Sequence, residues 1–200
     1  QNDLDLLGRL LNDEISNYAM EKRYYKKNGE LIQAKLWVAI VKSRNGAPIH
    51  FVSQIQNITE EYLAKKALES SEARLRGLFD LSPVGISLMD YKTGKQIEAN
   101  DALVAPTGYT HTEFMTLTDR ELTPREYAPL MNNAIEQLRT FGRFNPFEKE
   151  YIRKDGTRYP ILAQGILMQD PSGREVVWSL AENITERKRL DKIKNEFVST

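Results

Sequence analysis

Few side chains in this chain could do chemistry, because it contains two histidines and no cysteine. His50 lies in a strand-like run, and His111 lies between Thr110 and Glu113, which have the spacing of a helix capping box. The missing thiol excludes disulfides, thiolate metal sites, cysteine nucleophiles and covalent cysteinyl-flavin adducts. The sequence therefore predicts no catalytic residue and no metal site.

The composition is that of a globular chain without a charged partner. The 200 residues are 40% hydrophobic and 28% charged, which is sufficient to bury a core. The formal net charge is zero, so we expect no nucleic-acid partner and no attraction to an acidic membrane. No apolar run approaches the roughly 18–20 residues of a membrane span, and the first residues do not resemble a signal peptide. We expect a cytoplasmic location without membrane contact, in a parent protein that could be tethered upstream.

An internal repeat sets the unit of the architecture. The segment Asn-Ile-Thr-Glu at 57–60 recurs at 183–186. The stretches that these segments close begin EKRYYKKNGE at 21–30 and EKEYIRKDGT at 148–157. The two stretches align throughout, with one single-residue slip in a turn.

The domain boundaries follow from this repeat. We predict the C-terminal half of a first unit at 1–59, a connecting helix at 60–80, a complete unit at 81–185 and an output helix at 186–200. The chain starts inside a unit and stops on a helical pattern, so we interpret it as a fragment of a longer protein.

Turn signals order the elements of the complete unit. Two strand-like runs at 84–90 and 95–99 form a hairpin, and helices follow. Asp155-Gly156 is a strong hairpin signal, and three strands are expected at about 147–153, 157–169 and 174–184. The sequence thus predicts an α+β fold, a five-stranded antiparallel sheet whose helices are grouped between strands 2 and 3.

Capping signals place the helices. Asn100 suits an N-cap. Thr123, Pro124 and Glu126 have the types and spacing of N-cap, N1 and N3, and they predict the start of an amphipathic helix that runs to about 140.

Both faces of the predicted sheet are substantially apolar, although an antiparallel sheet usually leaves one face polar. We expect the helices of the unit to cover the inner face. A flanking helix or a second protomer would cover the outer face at Trp178; the alternative is a loosely amphipathic sheet with a few exposed apolar groups.

Small residues on the inner face could leave a cavity for a ligand. The candidate wall residues are Ala163, Gly165, Ser179 and Ala181 on the strands and Met131 on the long helix. The alternative is that a larger side chain fills the space, since cores are close-packed; the candidates are Phe79, Met89, Met131 and Leu138.

A seam of apolar residues follows the connecting helix at alternating spacings of four and three, the pattern of a coiled coil. Its members are Ala64, Leu68, Ser71, Leu75 and Leu78. The seam predicts self-association into a homodimer through the helices and the face bearing Trp178. The alternative is a helix folded back on the next sheet.

The repeated Asn-Ile-Thr places two polar residues where each last strand becomes a helix. We expect Thr185 to cap the output helix by accepting from a first-turn amide, and Asn183 to hold the strand end. Asn57 and Thr59 are their equivalents. These four residues are the predicted signal junctions.

The run FNPFEKEYIRKDGTRYP at 144–160 and the Asn-Ile-Thr segments resemble the C-terminal signature of PAS (sensory box) domains, in tandem. The run DKIKNEFVST at 191–200 resembles the start of the dimerisation helix of sensor histidine kinases. The resemblance implies the PAS fold and a kinase core downstream in the same chain. PAS domains that bind haem place an axial ligand on the long helix, which has no histidine here. Haem is therefore disfavoured, no cofactor is predicted, and a noncovalent organic ligand stays open.

Two classes of function agree with these features. The first is a non-catalytic relay module, without enzymatic activity of its own, that passes a conformational signal to a histidine kinase. The second is a small-molecule receptor whose pocket lies between the long helix and the inner sheet face. A diguanylate cyclase could replace the kinase as the output.

Overall fold

The structure is a computed structural model that describes residues 3–198. The chain divides into two compact units between Arg74 and Leu75. The ends of the predicted first unit (residues 1 and 2) and of the predicted output helix (residues 199 and 200) lie outside the described part. Within residues 3–198, no helix combines the length and the apolar character needed to cross a membrane.

The first unit is a three-stranded antiparallel sheet with one helix on it. The sheet order is β1-β2-β3. Leu6 and Leu10 of the helix pack in one cluster with Tyr18, Leu36 and Val38 of the first two strands. The elements of this unit are α1 (Asp3–Leu11), β1 (Asn17–Tyr25), β2 (Leu31–Lys42) and β3 (Pro48–Asn57).

The strand β3 is the edge of this sheet, and every one of its residues is exposed. Phe51 and Ile55 are 44% and 56% exposed although they pair with Ile40 and Leu36 of β2. The helix α2 (Thr59–Leu81) follows β3, begins in the first unit and ends in the second.

The second unit is a five-stranded antiparallel sheet in the order β5-β4-β8-β7-β6. All helices of this unit that follow β4, except the last, lie between its second and third strands along the chain, as the sequence predicts. Its strands are β4 (Gly85–Asp90), β5 (Gln96–Ala99), β6 (Arg143–Ile152), β7 (Arg158–Gln169) and β8 (Glu175–Asn183). Its helices are α3 (Asp101–Val104), α4 (His111–Phe114), α5 (Asp119–Leu122), α6 (Ala128–Phe141) and α7 (Thr185–Val198).

Asn100 is the buried polar anchor of this unit and is 2% exposed. Its Oδ1 atom accepts from the amides of Leu103, at 3.1 Å, and Ile86, at 2.8 Å. Its amide group donates to the carbonyls of Phe79 and Val84, each at 3.0 Å. One side chain therefore caps α3 and joins it to the end of α2 and the start of β4.

The predicted start of the long helix at Thr123 is wrong. The helix α6 begins at Ala128, after a 3-10 turn at Arg125–Tyr127. Thr123 does not cap it, because its hydroxyl donates to the Asp119 carbonyl at 2.7 Å and accepts from the buried Lys149 ammonium at 3.2 Å. The Thr123 side chain, which the local spacing predicts as an N-cap, is therefore used in a tertiary contact with Lys149 instead.

Candidate functional site

A cavity of about 340 Å³ lies in the second unit between the inner face of the sheet and α6. Its size is at the lower end of the range for small-molecule sites, roughly 300–1,000 Å³. Side chains of both layers make a mostly apolar wall, which includes Met89, Met131, Leu138, Phe147, Ala163 and Val177.

The predicted wall residues divide into two groups. Ala163, Ser179 and Met131 line the cavity, whereas Gly165 and Ala181 do not. Phe144 covers Gly165, since a β-carbon there would lie 2.6 Å from Phe144 Cε1. Ala181 belongs to the buried core. Small strand residues therefore serve partly for close packing, and Phe144 is a filler that the sequence did not indicate.

The polar end of the cavity is built around Lys149, which is 3% exposed. Its Nζ atom lies 2.8 and 2.6 Å from the two carboxylate oxygens of Asp119 and 3.2 Å from Thr123 Oγ1. Tyr151 Oη donates to Asp119 Oδ1 at 2.6 Å. All three donors of the ammonium have an acceptor, so the buried charge is paired and hydrogen-bonded.

The environment of Tyr151 keeps its hydroxyl protonated. Burial raises the pKa of Tyr151 well above its ordinary value, and the neighbouring Asp119 charge raises it further. Burial also raises the pKa of Tyr159 to about 12. The two rings meet edge to face, with centroids 6.1 Å apart. Both hydroxyls are therefore neutral at physiological pH, and that of Tyr151 donates to Asp119.

The same lysine recurs in the first unit with a different partner. Lys22 aligns with Lys149, and its ammonium lies 2.5 Å from Asp3 Oδ2. That hydrogen bond raises the pKa of Lys22 and lowers the pKa of Asp3. Sequence reasoning missed both pairs because each spans distant elements. The repeated Glu-Lys at the start of both aligned stretches was the available signal.

The second junction is held by Asn183 and Thr185. Asn183 Oδ1 accepts from the Thr185 amide at 3.0 Å and from its hydroxyl at 2.6 Å. The expected cap, with the Thr185 hydroxyl accepting from a first-turn amide, is not formed. Thr185 is already the first helical residue, so its side chain comes one position too late, and Asn183 provides the acceptor instead.

The first junction repeats this geometry with additional bonds. Asn57 Oδ1 accepts from the amide and hydroxyl of Thr59 at 3.0 and 2.6 Å. The Thr59 hydroxyl also accepts from the Gln33 amide of β2 at 3.0 Å. The four predicted junction residues therefore form two local pairs of the same kind.

The predicted seam of α2 lies exposed. Leu68, Leu75 and Leu78 are 60%, 60% and 63% exposed, Ala64 and Ser71 are exposed as well, and α2 buries no residue. At the end of α2, the Phe79 ring packs edge to face on Trp178, with centroids 6.1 Å apart.

The rest of the outer sheet face is partly open. Ile166 and Met168 remain 46% and 44% exposed. His50 lies on the exposed β3 of the first unit, and in the second unit His111 Nε2 lies 3.1 Å from the Ala99 carbonyl.

The second unit is thus an antiparallel five-stranded sheet with inserted helices, a cavity behind them and a helix leaving the last strand. The chain belongs to the PAS domain family, which matches residues 3–60 and 83–186. The family and the fold class thus agree with the sequence prediction, and the two matched segments support the tandem arrangement.

Full-length relatives place such modules in signalling proteins. The chain is 27% identical over 193 residues to the sensor histidine kinase TmoS of Ectopseudomonas mendocina. The aligned region covers 96% of this chain and 18% of that protein. It is 43% identical over 58 residues to the probable diguanylate cyclase DgcE of Escherichia coli K12, which covers 29% of this chain and 5% of that protein. The chain thus spans less than a fifth of either relative.

A solved PAS domain from Colwellia psychrerythraea has the same fold. Its TM-score is 0.51 at 18% identity, over 57% of this chain and 97% of that one. The family and these relatives give the chain a signal-input role.

Proposed function

We propose that this chain is a non-catalytic relay module that transmits a conformational signal through α2 and α7 to a histidine kinase core downstream. The observation that carries the proposal is the direct passage from β8 into α7 at Asn183 and Thr185. Because α7 begins directly after β8, a shift of the strand will rotate or translate the helix. Packed helices have a small number of discrete arrangements, so such a shift can change the helix packing from one arrangement to another.

The module acts as a homodimer in this proposal. The seam of α2 exposes three leucines in coiled-coil spacing, and Leu190, Ile193 and Phe197 of α7 are 60%, 41% and 80% exposed. Apolar side chains in such a row favour a second helix as partner. In a two-stranded assembly each helix would have a defined register against its partner, and a change of that register would carry the signal.

Kinase and cyclase outputs can be separated in the full-length protein. An insertion of four residues after Lys194 shifts the register of α7, whereas an insertion of seven restores it. We expect the first to alter autophosphorylation and the second to preserve it. Unchanged phosphorylation with four inserted residues contradicts the relay. Formation of a cyclic dinucleotide from GTP, without phosphorylation, identifies a cyclase output instead.

The cavity favours a second candidate, a small-molecule receptor. Because Lys149 and Asp119 already neutralise each other, a charge placed beside them would be unpaired, although Asp90, Lys92 and Arg120 also line the cavity. The proposed ligand is a mostly apolar molecule of one or two rings, held noncovalently.

Native mass spectrometry of the purified chain tests the receptor. A bound mass that is lost in Ala163→Phe, which fills the cavity wall, supports it. Gln164→Phe changes the neighbouring exposed position and is the control. A clean apoprotein, with no shift of the melting temperature on adding indole, contradicts the receptor and leaves the relay intact.

A further inference from the structure

The two strand–helix junctions differ at one backbone atom. Gln33 and Pro160 occupy aligned positions on β2 and β7, and the carbonyl of each accepts from the next junction residue: Ile58 N at 2.9 Å and Ile184 N at 3.1 Å. Gln33 also has an amide, which donates to Thr59 Oγ1 at 3.0 Å. Pro160 has no backbone N–H, so Thr185 cannot receive the corresponding bond.

The surroundings of the two threonines agree with this difference. Thr59 is half-buried and makes a second contact, from its hydroxyl to the Gln33 carbonyl at 3.4 Å. Thr185 is exposed, and among residues 3–198 its hydroxyl bonds within the turn, to Asn183. The first junction is therefore tied across two strands, whereas the polar contacts of Asn183 and Thr185 are local.

The second junction has an ion pair where the first has a tyrosine. Lys188 Nζ of α7 lies 2.6 Å from Glu148 Oε2 of β6, with the two side chains 50% and 47% exposed. Tyr62 and Glu21 are the aligned residues of the first unit. Exposed ion pairs contribute little and are screened by salt. This pair is therefore a weak and salt-dependent replacement for a neutral bond between strand and helix.

We propose that Pro160 leaves the root of α7 one strand–helix hydrogen bond short of the root of α2, so that α7 leaves its strand more readily than it would with a backbone amide at residue 160; packing of the buried Ile184 is the remaining anchor. The inference rests on the proposed relay function, which it extends by naming the residue that sets the anchoring of the output helix. Any residue with a backbone N–H at position 160 could donate to the Thr185 hydroxyl, as the Gln33 amide donates to the Thr59 hydroxyl.

Native-state hydrogen exchange on the 200-residue chain measures this directly. Pro160→Ala restores a backbone amide, and we expect it to slow exchange at Ile184 and Thr185 roughly two- to tenfold, the effect of one hydrogen bond. The Ala181 amide on the same strand serves as the reference, which separates local release from a change in global stability. Adding Thr185→Val to Pro160→Ala should cancel the gain, because the acceptor is then missing.

The first junction supplies the matched controls. Gln33→Pro should speed exchange at Ile58 and Thr59 by a similar factor, whereas Gln33→Ala, which keeps the amide, should leave it unchanged. Salt should speed exchange at Ile184 and not at Ile58. Unchanged exchange at Ile184 in Pro160→Ala, or equal effects of Gln33→Pro and Gln33→Ala, overturns the inference.

The full-length protein separates this inference from the function on which it rests. Pro160→Ala should change the rate of autophosphorylation, because it strengthens the anchoring of α7 to its strand. Slower exchange at Ile184 with unchanged phosphorylation would uphold the anchoring role of Pro160 and overturn its use in signalling.

Discussion

The ring of Phe144 lies so close to Gly165 that a β-carbon at residue 165 would come within 2.6 Å of Phe144 Cε1 and 2.8 Å of the Trp178 carbonyl oxygen. The glycine lets an aromatic ring cover the centre of the sheet. Its backbone needs no left-handed conformation, so the requirement is one of space alone.

Gly165→Ala should therefore destabilise the second unit by about 1–3 kcal/mol, the usual effect of overpacking a core. Urea unfolding of the chain measures it. Gly77→Ala on α2 is the control, since nothing lies within 4 Å of its β-carbon position. That change should be neutral or stabilising by up to about 1 kcal/mol, because alanine is the better helix former. Equal effects of the two substitutions would contradict the packing role of Phe144.

Asn183→Ala should lower the free energy of unfolding by about 1 kcal/mol, the usual value for a lost hydrogen bond at a helix start. That loss is small beside the stability of a domain, roughly 5–15 kcal/mol. It is large for a signalling equilibrium, in which about 1.4 kcal/mol changes a population ratio tenfold. If the proposed relay is right, the chain should stay folded while autophosphorylation of the full-length protein changes.

Asn183→Asp keeps the acceptor oxygen and is the matched control for stability. Thr185→Ala should have a smaller effect than Asn183→Ala, because the Thr185 amide still donates after its hydroxyl is removed. If phosphorylation is unchanged in all three variants, the junction does not transmit a signal. Global unfolding would show a purely structural residue.

Leu68→Glu together with Leu75→Glu should dissociate the proposed dimer, since both leucines are 60% exposed in the seam of α2. Light scattering at high micromolar concentration should change from dimer to monomer. Leu81→Glu, outside the seam on the same helix, should leave the dimer intact. A monomeric wild-type chain would contradict the prediction at once.

The edge strand β3 should be the least protected strand of the chain. Its residues are all exposed, and one of its edges has no partner strand among residues 3–198. Limited proteolysis should cut residues 1–59 rapidly and leave 81–185 resistant. Equal protection of both parts by hydrogen exchange would contradict this, unless another strand or chain covers β3.

The second unit should lose stability in alkali through Tyr151. Its pKa is raised in the folded state above the value of about 10 of an unfolded tyrosine, so the stabilisation is complete below pH 10 and is lost as the pH rises above it. The free energy of unfolding should decline from about pH 10 upward. Tyr151→Phe should reduce that slope. An identical slope in Tyr151→Phe would show that other groups dominate.

Local signals predicted the frame of the fold well. The hairpin predicted at Asp155-Gly156 forms with a glycine φ angle of 83°, and Asn28-Gly29 makes the equivalent turn of the first unit with a glycine φ angle of 82°. Asn100 and the box at Thr110 and Glu113 cap their helices. These features depend on residues close in sequence, where spacing and geometry are directly linked.

Tertiary contacts set the limit of that prediction. Thr123 has every local feature of a cap, yet the buried ammonium of Lys149 takes its hydroxyl. Small residues on a strand predict space beside the sheet. The space at Gly165 is filled by Phe144, which is far from it in sequence, so no local pattern could indicate the filler. The charge pairing of Lys149 with Asp119 is invisible to periodicity for the same reason.

The two equivalent lysines bear on how such modules can be recombined. Lys22 and Lys149 occupy equivalent positions on the first strand of the aligned stretch. The acid that pairs with each lysine comes from a different helix: Asp3 from α1 in the first unit and Asp119 from α5 in the second. A chimera that grafts the helices of one unit onto the strands of the other would leave a lysine without its acid. Crossover points for domain swaps therefore belong in α2, outside both charge pairs.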